Sequence, residues 1–508
     1  MVFAANPRAI FAATILALVF AGAGCSAAPA GDTAAALSAR PPNVILLFAD
    51  DLGYGDLGSY GHPYHRTPNL DALAREGQRW TDFYVAAPVC SPSRGALLTG
   101  RLPNRTGLYG RRVPVLFPND GHGIPAAEVT LPERLSAVGY RTAIIGKWHL
   151  GDQPDSLPTR HGFDEWFGLP YSNDMRWEGG PSFPELAGMM AAGQGDRIAE
   201  VLEARQRKYL DPKNEYWNVP LLQSRREAGA YADRVLEPRA DQATLTRRYT
   251  QEALRFIDAH QAQPFFLYLP YTMPHTPLFR DARFENRSLG GRYGDVIEEI
   301  DWSVGEIVAR LRALSLAEDT LVIFTSDNGP WLAMQHHGGS SGLLRDGKGT
   351  TFEGGMRVPA IFWGPGRVQP GAVSDPGSAL DLYPTIAQAA GATEAIDSDG
   401  YDLGPTLRAG QPSPRRVVTF YRAGELQALR EGRYKLRLVS EGAYGLGPPK
   451  TVHEAPQLYD LQVDPGERYN IAERHPEIVA RLQQTVAAHR AGMADAAPLF
   501  DQRFAPAR

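Results

Sequence analysis

Four separate stretches of this chain are almost continuously apolar, and each stops at a short polar cluster. Residues 43–49 end at Asp50-Asp51, and 140–146 at Lys147-Trp148-His149. Residues 264–271 run into Thr272-Met273-Pro274-His275, and 320–326 end at Asp327-Asn328-Gly329. A strand with one wet face alternates apolar and polar residues, whereas uninterrupted apolar runs belong to strands covered on both faces, the habit of parallel sheets. Helical segments separate them. Thr67-Pro68 opens a helix whose Leu70, Leu73 and Ala74 share a face and which Gly77 closes. Thr130-Leu131-Pro132-Glu133 is a capping box that starts a second helix, ended by Gly139. Val296, Ile300, Val304, Ile307, Leu311 and Leu314 recur at helical spacing in a third. The expected fold class is therefore α/β, with the polar strand ends gathered on the edge where open α/β sheets bind ligands.

From about Gly404 the texture changes. Residues 416–421, 426–430, 434–439 and 457–461 have strand character and 476–490 helical character, together a smaller α+β unit with a short antiparallel sheet. The expected organisation is a leader over 1–25, a linker over 26–41, a catalytic domain over 42–403 and a C-terminal α+β subdomain over 404–508. The charged, motif-free stretch 176–239 reads as a solvated helical excursion, the commoner case, or as a substrate-side insertion. At 508 residues and 43% apolar the chain can bury a large core. A net charge of -5 and a pI near 6.2 supply no basic field for nucleic acid, so an anionic ligand must be held by local cations. Residues 9–21 are apolar, too short to span a bilayer comfortably and preceded by Arg8, as in a secretory leader. Ala23-Gly24-Cys25-Ser26 has the form of a lipoprotein leader end, where Cys25 carries lipid and tethers the chain to a membrane. Gly22 stands where lipoproteins usually have leucine, so simple cleavage nearby is the alternative. The expectation is export: periplasmic, anchored to the outer membrane, or secreted.

Once Cys25 is set aside, Cys90 is the remaining cysteine, in Val89-Cys90-Ser91-Pro92-Ser93-Arg94-Gly95. A lone cysteine in an exported chain has no intramolecular disulfide partner, so it is either reactive or inert as a small buried apolar group. Pro92 suits a first helical turn and the residues to Gly100 can continue it. Cys90 then lies at a helix N-terminus, where free N–H groups, the positive dipole end and Arg94 suit an anionic ester. A tyrosine-phosphatase thiolate loop, C-x5-R, requires arginine at position 96; Ala96 stands there, and that reading fails. Asp50, Asp51, Asp327 and Asn328 form an all-oxygen set suited to Ca²⁺ or Mg²⁺, although either segment alone is more often a turn or a cap. Lys147 and His149, one residue apart, face the same way on an extended exit. Lys348, in a glycine-rich loop, and His275, just after its strand, are ambiguous singly.

The C-x-P-x-R pattern at Cys90, Pro92 and Arg94 resembles the modification signature of the type I sulfatases. Asp50-Asp51, Gly146-Lys147-Trp148-His149, Pro274-His275, Asp327-Asn328-Gly329 and Gly347-Lys348 follow in the order of that family. Thr350-Thr351-Phe352-Glu353-Gly354-Gly355-Met356-Arg357 and Leu458-Tyr459-Asp460-Leu461 extend the likeness over nearly the whole mature chain. The chain is similar in particular to the arylsulfatase A and N-acetylgalactosamine-6-sulfatase branch. The resemblance implies an alkaline-phosphatase-like large mixed sheet and a sulfuric ester hydrolase acting on aryl or carbohydrate sulfates. It implies that a maturation enzyme oxidises Cys90 to Cα-formylglycine, whose hydrate is the nucleophile. Asp50, Asp51, residue 90, Asp327 and Asn328 would ligate Ca²⁺, with Mg²⁺ as the alternative, and Asp327 would also take the attacking hydroxyl's proton. Arg94, Lys147 and Lys348 would neutralise the sulfuryl oxygens, His275 with Lys348 would assist the leaving alcohol, and His149 would deprotonate the second hydroxyl to expel sulfate. Two alternatives remain: a phosphate or phosphonate ester hydrolase of the same superfamily, and a non-catalytic sulfated-glycan-binding protein. Sequence gives no oligomeric state.

Overall fold

Strand β1, Asn43–Ala49, shows directly why its run is unbroken: Val44, Leu46 and Phe48 enter one apolar core while Ile45, Leu47 and Ala49 enter another on the opposite face. The structure, a computed structural model, describes residues 41–504 apart from 182–184, 187, 188, 190, 191, 228 and 393. The expected leader, Cys25 and nearly all of the linker lie outside these residues. No helix among the described residues is long and apolar enough to cross a membrane.

β1 lies at the middle of a large mixed sheet. Its neighbours are β7, Phe265–Pro270, and β8, Thr320–Ser326, both parallel to it. Beyond β7 come β3, Arg141–Ile145, and β4, Glu165–Gly168, again parallel. Beyond β8 lies β9, Arg357–Trp363, antiparallel, and then β2, Gln78–Tyr84, antiparallel to β9. The C-terminal ends of β1, β2, β3, β7 and β8 and the N-terminal end of β9 therefore share one edge. Helix α1, Pro68–Glu76, follows β1 and carries Leu70 and Leu73 inward; helix α2, Cys90–Thr99, follows β2 and closes on Gly100 in the left-handed region.

The stretch 176–239 departs from expectation. It contains the helix Gly195–Leu210, and it also contains β5, Leu221–Glu227, and β6, Ala230–Glu237, an antiparallel hairpin that extends the main sheet at its edge. Sequence carries no sign of the hairpin because apolar and polar residues fall on both faces of the largely exposed β6, so neither face shows an apolar alternation. In the C-terminal part, Val417–Arg422, Glu425–Glu431, Tyr434–Ser440 and Thr451–Asp460 form a separate antiparallel sheet of four strands. Leu482 and Val486 of the helix Pro476–Gly492 join the apolar cluster that includes Leu429, Leu436 and Leu458 of this sheet.

Candidate active site

The shared edge delivers the expected residues to one place. Cys90 opens α2 with its thiol 3.6 Å from Asp50 Oδ1 and 4.0 Å from Asp51 Oδ1, and it is 1% exposed. One ligand atom each from Asp50, Asp51, Cys90 and Asp327 falls within 4.8 Å of the others. Asp51 takes up a left-handed backbone, φ 64°, strain of the kind that buried functional sites hold in place.

Three cations face the three carboxylates. Lys147 Nζ donates to Asp50 Oδ2 at 2.7 Å and Lys348 Nζ to Asp51 Oδ2 at 2.7 Å. Arg94 donates to Asp327 Oδ2 from Nε at 3.0 Å and from Nη2 at 2.7 Å, and its Nη2 lies 3.3 Å from Asp50. Arg94 also donates to the Lys147 carbonyl from Nη1, so beside the expected role at the sulfuryl oxygens it holds the carboxylates in position. Asp327 also accepts the Asp51 backbone N–H at Oδ1, so the proposed proton-acceptor role must compete with bonds at both of its oxygens.

Burial is the largest influence on Asp50, Asp51, Cys90, His149, His275 and Lys348. It would push Asp50 upward, but Lys147, Arg94 and Lys348 outweigh it and hold Asp50 below the usual carboxylate range. Burial prevails at Asp51; with Asp50 and Asp327 nearby its carboxyl is pushed up to about 7 despite Lys348. The crowding of acids is thus incompletely relieved by the protein's own cations. Asn328 turns its Nδ2 to Asp51 and leaves Oδ1 buried with no partner. An under-neutralised cluster of carboxylates beside an orphaned amide oxygen fits a hard divalent cation.

His149 does not sit on the extended exit that spacing suggested. Gly146 has φ 132° and His149 φ 62°, so the chain coils after β3, and a Cβ on Gly146 would stand 1.9 Å from the Pro270 carbonyl. His149 Nε2 is 2.8 Å from the Leu116 carbonyl, which can only accept, so Nε2 carries the proton; Nδ1 holds the lone pair, buried and unpartnered. Burial, then Lys147 and Arg94, push its pKa well down and keep the ring neutral. His275 donates from Nδ1 to the Thr276 carbonyl at 2.6 Å and presents Nε2 to Asp51 at 3.6 Å; burial and Lys348 push its pKa well down too. Burial would lower Lys348, but Asp51 together with Cys90, Tyr444 and Asp50 outweighs it and holds the side chain as an ammonium.

Cys90, His149, His275 and Lys348 line a cavity of about 450 Å³. Residues outside the expected set complete it. Ser172 accepts from Lys147 Nζ at 2.6 Å; Asp174 accepts from Tyr209; Trp331 lies under the Lys348 ammonium at 4.6 Å. Arg205 and Tyr209 come from the helix Gly195–Leu210, so that stretch does border the cavity. Ser172 follows β4, a sixth strand ending on the same edge, but a four-residue strand carries too little periodicity to be read from sequence.

The sulfatase family model matches residues 42–392, and the model for the C-terminal region of aryl-sulfatase matches residues 413–506. Arylsulfatase A of Bos taurus is 43% identical over 470 residues, 88% of this chain and 87% of that protein. N-acetylgalactosamine-6-sulfatase of Mus musculus is 38% identical over 497 residues, 91% and 89% of the two chains. Among solved structures, the PsFucS1 sulfatase from Pseudoalteromonas sp. superposes with a TM-score of 0.75 at 29% identity, covering 92% of each chain.

Proposed function

The chain belongs to the sulfatase family and is a sulfuric ester hydrolase, and from that premise we propose that residue 90 works as Cα-formylglycine beside a Ca²⁺ ion. The observation that carries the reading is the state of Cys90. Burial pushes its thiol far above the ordinary range in spite of Lys147 and Lys348, so an unmodified thiol stays protonated and is a poor nucleophile. The residues around it nevertheless have the charges and lone pairs that ester cleavage needs.

Asp50, Asp51, Asp327, the Asn328 amide oxygen and residue 90 would hold the cation, with Mg²⁺ the alternative. When bound, it supplies Lewis-acid polarisation of a sulfate oxygen. The aldehyde, once hydrated, supplies two hydroxyls on one carbon, which neither serine nor threonine can. Lys147 and Lys348 stabilise charge on the sulfuryl oxygens from fixed positions, at no reorganisation cost during the reaction. Arg94 fixes Asp327 and Asp50. Lys348 is the standing acid for the departing alkoxide; His275, neutral at rest with its proton on Nδ1, offers Nε2 as an acceptor and donates only once an anionic ester has favoured its charged form. His149 Nδ1 takes the proton whose loss releases sulfate and restores the carbonyl.

The substrate is a sulfated small molecule or glycan, as the relatives' names support, and a formylglycine-generating enzyme acts first. The leader-like N-terminus supports export, periplasmic or secreted, with lipid on Cys25 as one form; labelled palmitate recovered on Cys25 would distinguish the tethered form. Initial rates on p-nitrophenyl sulfate and p-nitrophenyl phosphate test the reaction. Preference for sulfate is expected, and faster phosphate turnover would move the chain to the phosphoester reading.

A further inference from the structure

Nothing in the ring of His149 itself decides which nitrogen carries the proton. A neutral imidazole has one N–H and one lone pair, and the bond made at one nitrogen fixes the state of the other. Main-chain bonds hold the residue in its left-handed conformation: its N–H donates to the Pro170 carbonyl at 3.0 Å, and that of Trp148 to the Leu169 carbonyl at 2.9 Å. The ring's one hydrogen-bond partner among the described residues is the Leu116 carbonyl, 2.8 Å from Nε2. Whatever aims that carbonyl therefore sets the base.

The peptide group that joins Leu116 to Phe117 is planar and trans, so it carries this carbonyl on one side and the Phe117 N–H on the other. The N–H donates to Asp120 Oδ2 at 2.6 Å. Asp120 is 8% exposed, and its own N–H closes a turn on the Phe117 carbonyl at 3.2 Å. A carboxylate accepting the N–H makes the carbonyl of the same peptide a stronger acceptor, since linked hydrogen bonds polarise one another where water is excluded. At the other end of Leu116 the backbone N–H donates to Ser91 Oγ at 3.1 Å, and Ser91, next to residue 90 in α2, is fully buried. The Leu116 side chain is buried in the same apolar core as Trp148 and Leu150, the two neighbours of His149. Pro118-Asn119-Asp120-Gly121 has the composition of an ordinary turn. What an ordinary turn does not explain is that its leading peptide ends on the ring of His149.

We propose that Asp120 is a positioning residue for His149, acting through the Leu116–Phe117 peptide, and that Ser91 holds the other end of the same bracket. The carboxylate, the peptide and the imidazole form a relay that keeps the proton on Nε2 and the lone pair on Nδ1. A base oriented by a third group is a recurring arrangement, and here a peptide bond stands between the two. Neither Asp120 nor Ser91 is among the residues that line the cavity over residue 90. The inference rests on the reading of His149 as the base that releases sulfate.

The test is rapid mixing of the mature chain with p-nitrophenyl sulfate, the burst of phenol being scaled to the aldehyde content of the peptide that spans residue 90. Asp120→Ala should keep its burst and slow the steady state at least about tenfold, the scale of loss when an outer partner of a functional histidine is removed. Asp120→Asn keeps an oxygen for the Phe117 N–H without the charge, and should fall between alanine and wild type. Ser91→Ala should act in the same direction, and it is read instead if a melting curve shows Asp120→Ala to be misfolded. A merely structural role would lower burst and steady state together. That result, or a wild-type ratio of burst to steady state in the folded variant, overturns the proposal. His149→Ala separates the two readings. If it too leaves the ratio unchanged, the base assignment fails and the relay with it; if it splits the phases while the folded Asp120→Ala or Ser91→Ala does not, the base assignment stands and the relay alone falls.

Discussion

His149 and Lys348 divide the acid–base work by position. Replacing His149 with alanine removes its unpartnered Nδ1 from the cavity wall and leaves the cations in place. Rapid mixing with p-nitrophenyl sulfate should then show an early burst of phenol followed by a steady state slower by about 10²–10⁴, the usual worth of a positioned base. A uniform loss of burst and steady state would assign His149 to the first step instead. Lys348→Ala should lower kcat by about 10²–10³, and Lys348→Arg should restore little, because a planar guanidinium cannot replace a compact ammonium 2.7 Å from Asp51. Asp50, Asp51, Lys147, His275 and Asp327 were legible in the sequence because each follows an apolar run that can only be a buried strand. Ser172, Asp174, Tyr209, Trp331 and Tyr444 were not. Each of these is an ordinary polar or aromatic residue whose partner lies far along the chain, and only the fold makes the pairing.

At the level of elements, the exit of β3 and the brace under the Lys348 loop set the precision of the site. Gly146→Ala would drive a methyl into the Pro270 carbonyl and displace Lys147 and His149 together. A fall in kcat/KM of at least about tenfold, with a lower melting temperature, is expected from a strain of this kind. The small sheet supports the other side. Lys435 Nζ donates to the Thr351 carbonyl at 3.0 Å and to Glu353 at 2.9 Å, while Arg437 donates to Thr351 and Glu467, all of them buried. Burial alone would raise the Glu353 carboxyl; Lys435, Arg357 and Arg430 outweigh it and take it to about 2. Its folded value lies below the ordinary value of 4.5, so it contributes stability above that pH, progressively lost as pH falls toward about 2. Chemical denaturation of Glu353→Gln should show lower stability at neutral pH and a flatter decline on acidification; a parallel decline would mean that other carboxylates govern it. This network was invisible beforehand, because buried ion pairs between distant segments leave no periodic trace.

At the scale of the whole molecule, parallel strand order is what makes the chemistry possible. Six strand ends and one strand beginning meet on a single edge between two apolar cores, so residues as far apart as Asp50 and Lys348 share one buried cluster. The central strands β1, β3, β7 and β8 could be read from sequence because burial on both faces is written in composition, whereas the helices Leu245–His260 and Ala379–Ala389 and the strands β2 and β9 were not read. The edge hairpin β5–β6 could not be read, since its strands are wet. The cluster leaves Asp51 under-neutralised, so Ca²⁺ should raise the melting temperature in a concentration-dependent way and a chelator should lower it, by linkage. Asn328→Leu should blunt that response; an unchanged response would place the ion elsewhere. The most direct measurement is the mass of the tryptic peptide spanning residues 80–94, taken from protein of known specific activity. It should weigh about 18 Da less than the cysteine form, the change from thiol to aldehyde at residue 90, in proportion to activity. Fully active protein whose peptide still carries the sulfur would contradict the account.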